Sequence, residues 1–238
     1  MHSTREFFDE MASTYDQDLL AVGWDPVALI RRWPVVIGPG ERLLDVGCGT
    51  GAVLELFAGA DRVLAGMDLS PEMLRIARKK RRGLREARLE AASAAGPWPF
   101  EDQSFDTIVA LAMLEFVPEL DETLDELWRV LRPGGMALIS VEDRTDWGGV
   151  ERPETELRYG GFPLWRRTWD DVRMCIPPGL DIVRSERTPG YTVLEEGFTT
   201  AYWIIELRRN DWYPDDGSAS DDASAPYDAD DDDDLLED

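Results

Sequence analysis

The sequence LLDVGCGTG, at residues 43–51, decides the fold of this chain. Its apolar first half is typical of a buried strand, and the sequence GAVLELFAGA of residues 51–60 predicts a helix. Gly47, Gly49 and Gly51 lie between the two, where glycine permits a tight turn and lets a ligand lie against bare backbone. The segment therefore predicts a strand, a ligand-binding loop and a helix, in that order.

The same alternation of short apolar runs and amphipathic runs continues to about Asp143. Strands are predicted at residues 42–46, 62–68, 87–91, 105–114 and 136–143, and helices at residues 51–60, 71–82 and 120–131. Alternation at this spacing predicts right-handed crossovers and a parallel sheet that is covered on both faces. In such sheets, ligands bind at the carboxyl ends of the strands.

The pattern changes after Asp143. Residues 144–179 are rich in Trp, Pro, Gly and Arg, and only a short helix is predicted there, at residues 168–175. Residues 180–187 and 199–209 predict two longer strands, which we expect to pair antiparallel at one edge of the sheet because no helix of ordinary length separates them. The expected fold is a doubly wound α/β sheet of seven strands, most of them parallel.

The net charge of −24 is unevenly distributed along the chain. Residues 211–238 contain thirteen acidic residues and no Lys or Arg, and they have too few apolar side chains to offset the entropy of ordering. We therefore expect one domain at residues 1–210 and a disordered, solvating acidic tail at residues 211–238. A charge of this sign repels phosphate backbones and anionic lipid headgroups, which disfavours nucleic acid and membranes as partners.

Cysteine content and hydropathy restrict the class of protein further. Cys48 and Cys175 are the only cysteines and lack metal-ligand spacing, so we expect neither a disulfide framework nor a metal site. No stretch reaches the ~18 apolar residues of a membrane-spanning helix, and the charged N-terminus is unlike a secretory signal. These features predict a cytoplasmic protein and leave the oligomeric state open. The basic cluster at residues 78–88 lies mostly at a helix C-terminus, where we expect a solvated face.

The glycine-rich loop by itself is compatible with two kinds of nucleotide cofactor. With Ala52 it satisfies the loose pattern G-x-G-x-x-A of nicotinamide dinucleotide sites. Asp45 lies two residues before the first glycine, and a carboxylate there suits an ammonium group better than a pyrophosphate, because like charges repel. Asp68 ends the second predicted strand, where it can accept hydrogen bonds from ribose hydroxyls in either kind of ligand.

Five ordered segments resemble the class I S-adenosylmethionine (SAM)-dependent methyltransferases, in their small-molecule, methyltransferase type 11-like group. The segments are FFDEMASTYD (7–16), LDVGCGTG (44–51), GMDLSPEML (66–74), WPFEDQSFDTIVALAMLEFV (98–117) and ELWRVLRPGGMALIS (126–140). The first is similar to the family's N-terminal helix, and the second to its cofactor loop. The resemblance covers about residues 7–141, more weakly to about residue 209, and it implies a Rossmann-like fold with SAM as the cofactor.

The resemblance also implies which residues bind the methionine portion of SAM. Asp45 and the backbone from Gly47 through Gly49 to Gly51 are expected to hold it, with the Cys48 side chain beside it as a small packing residue. Backbone near Ala110 or Leu111 is expected to face the ammonium and sulfonium groups.

For the nucleoside portion, the resemblance implies that Asp68 holds the ribose and that Leu69 packs on one face of the adenine. Tyr15 is either a cover over the cofactor or an ordinary core contact. The chain departs from the family at the adenine amine, where an Asp is usual: the aligned position is Ala94, or Ser93 if one residue is inserted. We therefore expect the Ser93 hydroxyl or the backbone to make the contact with the adenine amine.

The sequence does not identify a catalytic base. His2 lies at the extreme terminus, and Phe116 stands where related enzymes often have a histidine after the fourth strand. The neighbouring Glu115 has two interpretations, a base and a surface or capping residue, and we expect the second. A base is needed only when the acceptor must lose a proton, and positioning supplies much of the rate otherwise.

Residues 144–179 are expected to form a lid over the methyl acceptor. Their aromatic residues predict an apolar or aromatic small molecule: Trp147, Tyr159, Phe162, Trp165 and Trp169. Their arginines suggest contact with a carboxylate of the acceptor: Arg158, Arg166 and Arg167. The predicted function is methyl transfer from SAM to a small molecule, and the alternatives are a non-catalytic SAM-binding module and a nicotinamide-dependent oxidoreductase.

Overall fold

The computed structural model describes residues 3–33, 40–59, 61–80, 82–158 and 161–210. The acidic tail predicted at residues 211–238 lies outside these ranges, as do Tyr159 and the side chain of Arg158. Within the described ranges, every helix is too short or too polar to cross a membrane.

A seven-stranded sheet forms the centre of the fold. The strands of the structure are β1 (Arg42–Val46), β2 (Val63–Asp68), β3 (Arg88–Ala91), β4 (Phe105–Ala110), β5 (Leu131–Glu142), β6 (Thr155–Arg158), β7 (Phe162–Trp165), β8 (Leu180–Val193) and β9 (Phe198–Arg209). The order across the sheet is β3-β2-β1-β4-β5-β9-β8, and β6 pairs with β7 in a separate hairpin. Strands β1 to β5 are parallel, whereas β9 is antiparallel to both β5 and β8, so the predicted antiparallel edge is confirmed.

Helices cover both faces of this sheet; the last four in chain order lie where the sequence predicts helices, whereas the third was not predicted. They are α1 (Thr4–Met11), α2 (Tyr15–Ala21), α3 (Pro26–Arg32), α4 (Ala52–Leu56), α5 (Pro71–Lys80), α6 (Leu120–Val130) and α7 (Trp169–Cys175), with short 3-10 turns at Arg82–Leu84 and Leu114–Phe116. In α6 the buried residues Leu120, Leu124 and Leu127 recur every three or four positions, so one face of the helix packs on the sheet.

Strand β1 lies inside the sheet between β2 and β4, and both of its faces are covered. Leu43, Leu44 and Val46 have no exposed surface. Leu44 and Val46 pack into one hydrophobic core together with Ile108, whereas Leu43 packs into a second core together with Leu54. Successive side chains of a strand point to opposite faces, so a strand buried on both sides is apolar without alternation.

The N-terminal segment differs from the single helix expected at residues 7–16. It forms α1 and α2, which are separated by a turn at residues 12–14. The N–H and the hydroxyl of Thr14 both donate to the Met11 carbonyl, at 3.0 Å and 3.3 Å. Local side-chain hydrogen bonds of this kind compete with the helical pattern. The turn makes Tyr15 the first residue of α2.

Residues 144–179 are fixed to the sheet by two buried arginines. Arg166 Nε lies 2.6 Å from Glu142 Oε1, and both side chains are almost fully buried. Arg167 donates to the backbone carbonyls of Leu114 and Pro118, at 3.1 Å and 3.0 Å. The expectation that these arginines meet a carboxylate of the acceptor is therefore wrong, because both are used inside the protein.

Gly66 of β2 leaves no room for a side chain, which gives a first prediction. A Cβ there would lie 2.8 Å from both Cys48 Sγ and Leu54 Cδ1, and 3.0 Å from Leu89 Cδ2. We expect Gly66→Ala to lower the free energy of unfolding by about 1–3 kcal/mol through overpacking, measured by urea unfolding. Gly59→Ala is the control, because a Cβ at Gly59 meets nothing within 4 Å. Equal stability of the two variants would contradict the prediction.

Candidate functional site

The glycine-rich loop turns back against the end of β2. The N–H groups of Gly47 and Cys48 both donate to the Met67 carbonyl, at 2.8 Å and 3.0 Å. Gly47 and Gly49 have φ angles of 70° and 50°, a region that glycine adopts without steric cost. A Cβ at Gly47 would lie 2.6 Å from Met113 Cβ. The predicted tight turn is therefore present, and its backbone is bare.

Asp45, near the end of β1, has a buried carboxylate that the protein only partly satisfies. The residue is 3% exposed, and its Oδ2 has no hydrogen-bond partner among the described residues. Burial, and next the negative charge of Asp68, raise the pKa of Asp45 well above its ordinary value. Because a buried acceptor without a partner is costly, this position suits a ligand that brings a cation or a hydrogen-bond donor.

Asp68, at the end of β2, joins two loops through its carboxylate. Its Oδ2 accepts the N–H of Gly49 and its Oδ1 accepts the N–H of Ser70, both at 2.8 Å. Desolvation raises the pKa of Asp68, and the two hydrogen bonds oppose that shift. Each oxygen of a carboxylate can accept more than one hydrogen bond, so Asp68 can orient both loops and still bind a hydroxyl of a ligand.

Two cavities flank the glycine-rich loop. The larger, which we call the loop cavity, has a volume of about 660 Å³ including its open mouth. The predicted residues that line it are Tyr15, Gly47, Gly49, Asp68, Leu69, Ser93 and Ala94. The smaller, which we call the side cavity, has about 440 Å³, and its predicted lining residues are Tyr15, Asp45, Gly47, Cys48, Gly49 and Leu111.

Ala110 and Gly51, which were expected to contact the cofactor, have other roles in the fold. Ala110 packs in the hydrophobic core, and Gly51 forms the N-cap of α4 in a left-handed conformation with φ 78°. Cys48 lines the side cavity and is also buried, and its burial raises the pKa of the thiol well above the ordinary value. A protonated, packed thiol agrees with the interpretation of Cys48 as a small packing residue.

Ser93 and Ala94 differ in what they can still offer to a ligand. The carbonyl of Ala94 accepts two hydrogen bonds, from Trp98 Nε1 at 3.0 Å and from Thr123 Oγ1 at 3.2 Å. Ser93 Oγ accepts the N–H of Ala95 at 3.1 Å. A hydroxyl has one donor and two acceptor positions, so Ser93 keeps hydrogen-bonding capacity where the Ala94 carbonyl is saturated.

Helices α1 and α2 are attached to the loops by two carboxylates. Asp9 of α1 accepts a hydrogen bond from Ser70 Oγ at 2.5 Å, at the start of α5. Asp16 of α2 accepts a hydrogen bond from the hydroxyl of Thr50, within the glycine-rich loop. The N-terminal segment is thereby held over the carboxyl ends of β1 and β2.

Tyr15 lies where these attachments meet. Its Cε1 is 3.5 Å from the place that a Cβ on Gly49 would occupy, so the ring lies close to the bare loop. Desolvation, and next the charges of Asp68 and Glu115, raise the pKa of Tyr15. The Tyr15 hydroxyl therefore stays protonated near neutral pH.

A third, strongly apolar cavity lies beside the loop cavity and has a volume of about 970 Å³. We call it the aromatic cavity, because its walls carry the rings of Phe7, Phe8, Tyr15, Trp24, Phe116, Phe162, Tyr191 and Tyr202. Phe8, Tyr15, Ala112 and Phe116 line both this cavity and the loop cavity. The two cavities therefore meet at a shared wall.

The aromatic residues predicted for the lid lie in different surroundings. Phe162 lines the aromatic cavity, with its ring centroid 5.7 Å from that of Phe116. Trp169 instead packs on Trp203, with ring centroids 4.6 Å apart, and Trp147 is 47% exposed. Residues 144–179 thus contribute Phe162 to the cavity wall, and the two tryptophans serve other contacts.

Glu115 is buried in the wall of the aromatic cavity, which contradicts the surface or capping role expected for it. It is 2% exposed, and Tyr202 Oη donates to its Oε1 at 2.6 Å. Its Oε2 has no hydrogen-bond partner among the described residues. Burial, and next the charge of Glu142, raise the pKa of Glu115 to about 8.

Ala112 is a site residue that the sequence does not reveal. It has a φ of 52°, and its N–H donates to Ser140 Oγ at 2.7 Å. It lines the loop cavity, the side cavity and the aromatic cavity. An alanine in the left-handed region is uncommon, and no local sequence signal marks it.

Comparison with known proteins agrees with this geometry. A family model described as a methyltransferase domain matches residues 44–139. The demethylmenaquinone methyltransferase of Clavibacter sepedonicus is 31% identical over 217 residues, which cover 90% of this chain and 81% of that protein. The phosphatidylethanolamine N-methyltransferase of Cereibacter sphaeroides is 35% identical over 153 residues, which cover 63% of this chain and 74% of that protein.

Solved structures show the same fold at lower identity. An S-adenosylmethionine-dependent methyltransferase from Mesorhizobium loti superposes with a TM-score of 0.61 at 20% identity, covering 79% of this chain and 99% of that one. A SAM-dependent methyltransferase from Methanosarcina mazei gives a TM-score of 0.60 at 19% identity, covering 76% and 97%. The Rossmann-like fold is thus confirmed.

The unpaired carboxylate of Asp45 gives a prediction about stability and pH. Its pKa is raised in the folded state, so ionising it costs stability as the pH rises from the ordinary Asp value through the raised one. Asn cannot ionise, so we expect Asp45→Asn to gain stability over the wild type as the pH rises. Urea unfolding of both proteins between about pH 4.5 and about pH 8 measures this. A stability difference that stays constant with pH would contradict it.

Proposed function

The chain belongs to the SAM-dependent methyltransferase family, and on this premise we propose that it transfers the methyl group of SAM to an apolar, aromatic small molecule bound in the aromatic cavity. The observation that carries the proposal is the wall shared by the loop cavity and the aromatic cavity, at Tyr15, Ala112 and Phe116. An acceptor in one cavity is thereby next to a cofactor in the other. We further propose that residues 1–210 form this domain and that residues 211–238 are a solvating tail.

The charges of the loop fit SAM better than a nicotinamide dinucleotide. SAM carries an ammonium group and a sulfonium, and Asp45 Oδ2 is a buried acceptor without a partner in the described chain. The charge of Asp68 raises the pKa of Asp45, and a pyrophosphate beside these two carboxylates would add like charge. The charges around the loop therefore support SAM as its ligand.

We assign the parts of the cofactor to the following residues. Asp45 and the backbone of residues 47–49 hold the methionine portion, and Leu111 and Ala112 face the sulfonium in place of Ala110.

The nucleoside portion lies in the loop cavity in this proposal. Asp68 holds the ribose, Leu69 packs on the adenine, and Ser93 supplies the polar contact at its edge. The saturated carbonyl of Ala94 supports the choice of Ser93 over Ala94.

When bound, SAM supplies an electrophilic methyl group that needs no further activation. The protein then has to hold the acceptor in line with that methyl group and keep water out. The ring-lined walls and the N-terminal helices attached by Asp9 and Asp16 support both tasks.

The nature of the walls supports a flat aromatic acceptor. One relative is named for demethylmenaquinone, which contains an aromatic ring system, and another for phosphatidylethanolamine, a lipid amine. Phe8, Phe116 and Phe162 contact one another with ring centroids 5.2 to 6.2 Å apart, and an acceptor ring is expected to pack offset or edge-to-face against this cluster. The net charge of −24 argues against nucleic acid as the substrate.

Calorimetric titration with SAM, S-adenosylhomocysteine and NAD, followed by an acceptor screen, tests the proposal. We expect binding of the first two ligands and methyl transfer to hydroxylated naphthalenes but not to ethanolamine. Tight NAD binding without SAM binding would overturn it. Binding of SAM without turnover of any acceptor would favour a non-catalytic SAM-binding module.

Asp68→Ala is expected to weaken binding of S-adenosylhomocysteine by about 1–3 kcal/mol, the scale for ligand hydroxyls that lose a charged acceptor. The variant also removes the acceptor of the Gly49 and Ser70 N–H groups, which loosens the loop. Calorimetry measures the affinity. Asp170→Ala is the control, because the Asp170 side chain is 76% exposed in a surface ion pair. Unchanged affinity in folded Asp68→Ala would show that the ribose is held elsewhere.

Val22→Trp is expected to separate acceptor binding from cofactor binding. Val22 is half-buried and lines the aromatic cavity, so a larger side chain there fills acceptor space. We expect kcat/KM for the acceptor to fall about tenfold or more, with the affinity for S-adenosylhomocysteine unchanged. Leu20→Trp is the control, since Leu20 lies two residues earlier in the chain and is 68% exposed. A parallel loss of cofactor affinity would place the two ligands differently.

A further inference from the structure

We propose that Glu115 is the catalytic base that removes a hydroxyl proton from the acceptor, so that the preferred substrates are hydroxylated aromatic molecules. This inference rests on the proposed function and adds to it the chemical class of the acceptor. Three features of the structure support it: the position of Glu115 in the cavity wall, the state of its two oxygens and the groups that surround it.

The backbone places Glu115 beside the point of transfer. It lies in the 3-10 turn Leu114–Phe116, which begins two residues after the left-handed Ala112. Ala112 and Phe116 line both the loop cavity and the aromatic cavity, and Glu115 between them lines the aromatic cavity. A group in this position meets the acceptor next to the shared wall.

The two oxygens of Glu115 have different states. Oε1 accepts the hydroxyl of Tyr202 at 2.6 Å, which fixes the orientation of the carboxyl group. Oε2 is buried and has no partner among the described residues. Tyr191 and Tyr202, which also line the cavity, already donate their hydroxyls to Glu142 and Glu115. Glu115 Oε2 is thus the oxygen of this carboxyl group that keeps an unused acceptor position, and in this proposal the hydroxyl of the acceptor takes it.

Burial, and next the charge of Glu142, make Glu115 a stronger base than a surface carboxylate. The titratable or charged groups that face it are Glu142, Tyr202, Arg167 and Tyr15, with Tyr191 behind Tyr202. Arg166 pairs with Glu142, which limits the charge that Glu142 adds. Burial and Glu142 raise the pKa of Glu115 to about 8, close to the value of ~10 for a phenol. Proton transfer is efficient between groups of similar pKa.

The step balances without any other reactant. The O–H bond of the acceptor breaks, and its proton goes to Glu115 Oε2. The electron pair left on the acceptor oxygen forms the new bond to the methyl carbon, while the carbon–sulfur bond of SAM breaks and its electron pair stays on sulfur. Product release returns the proton from Glu115 to water.

The experiment uses a matched pair of probes, 1-naphthol and 1-methoxynaphthalene, which differ by the transferable proton. Binding of each is measured by fluorescence in the presence of S-adenosylhomocysteine, from about pH 6 to about pH 9. Initial rates of 1-naphthol methylation with SAM are measured over the same range. The proteins compared are the full-length wild type, Glu115→Gln and, as the control, Glu119→Gln, which changes an exposed carboxylate four residues away.

In the wild type we expect tighter binding of the naphthol than of the ether, and a preference that grows as the pH rises through about 8. We expect kcat/KM to rise over the same range, because the ionised carboxylate is the active form. Glu115→Gln is expected to lose both rises and about 100-fold in kcat/KM, while cofactor affinity stays unchanged. Glu119→Gln is expected to behave as the wild type.

Tyr202→Phe is a second variant, with a readout that a purely structural role would not move. The Tyr202 hydrogen bond lowers the pKa of Glu115, so its removal is expected to shift the rise in rate to higher pH. An unchanged naphthol preference and pH profile in Glu115→Gln would overturn the inference, as would a wild type without preference for the naphthol. Methylation of aromatic molecules without a hydroxyl, insensitive to Glu115→Gln, would also overturn it but leave the proposed function standing.

Discussion

The carboxylate of Asp68 is the interaction on which the geometry of the site depends. It accepts one backbone N–H from the loop after β1 and one from the loop after β2, so the two loops share a single anchor. Hydrogen bonds to the charged form offset part of the cost of desolvating it. Asp45 nearby lacks such compensation, because its Oδ2 has no hydrogen-bond partner among the described residues. Asp68 therefore organises the loops, whereas Asp45 keeps a free acceptor position.

Three parts of the chain build the walls around this anchor. The loops at the carboxyl ends of the parallel strands contribute backbone without side chains, the N-terminal helices contribute Phe8 and Tyr15, and residues 144–179 contribute Phe162. Side-chain carboxylates, those of Asp9 and Asp16, attach the helices to the sheet loops. The site thus combines polar contacts at the loops with a neighbouring wall of aromatic rings, which suits a charged cofactor beside an apolar acceptor.

The sequence predicts what depends on local pattern and misses what depends on distant contacts. Strand–helix alternation predicted the parallel sheet, and the lack of a helix between the last two strands predicted its antiparallel edge. Some residues that line the loop cavity were predicted from the glycine-rich loop, such as Gly47 and Gly49, and others from the family resemblance, such as Leu69 and Ser93. The burial of Glu115 could not be predicted, because it depends on Tyr202, which lies 87 residues later in the chain. The left-handed conformation of Ala112 could not be predicted either, because alanine is not a residue type that favours a positive φ.

The buried pair of Arg166 and Glu142 makes residues 144–179 an integral part of the domain. In many enzymes a loop over the active site can be exchanged for another of different length, and substrate preference changes with it. Here an exchange that removed Arg166 would leave Glu142 buried without its cation, at a large cost in stability. Evolution of a new acceptor preference on this scaffold therefore has to proceed by single side-chain changes in the cavity wall, with the segment itself retained.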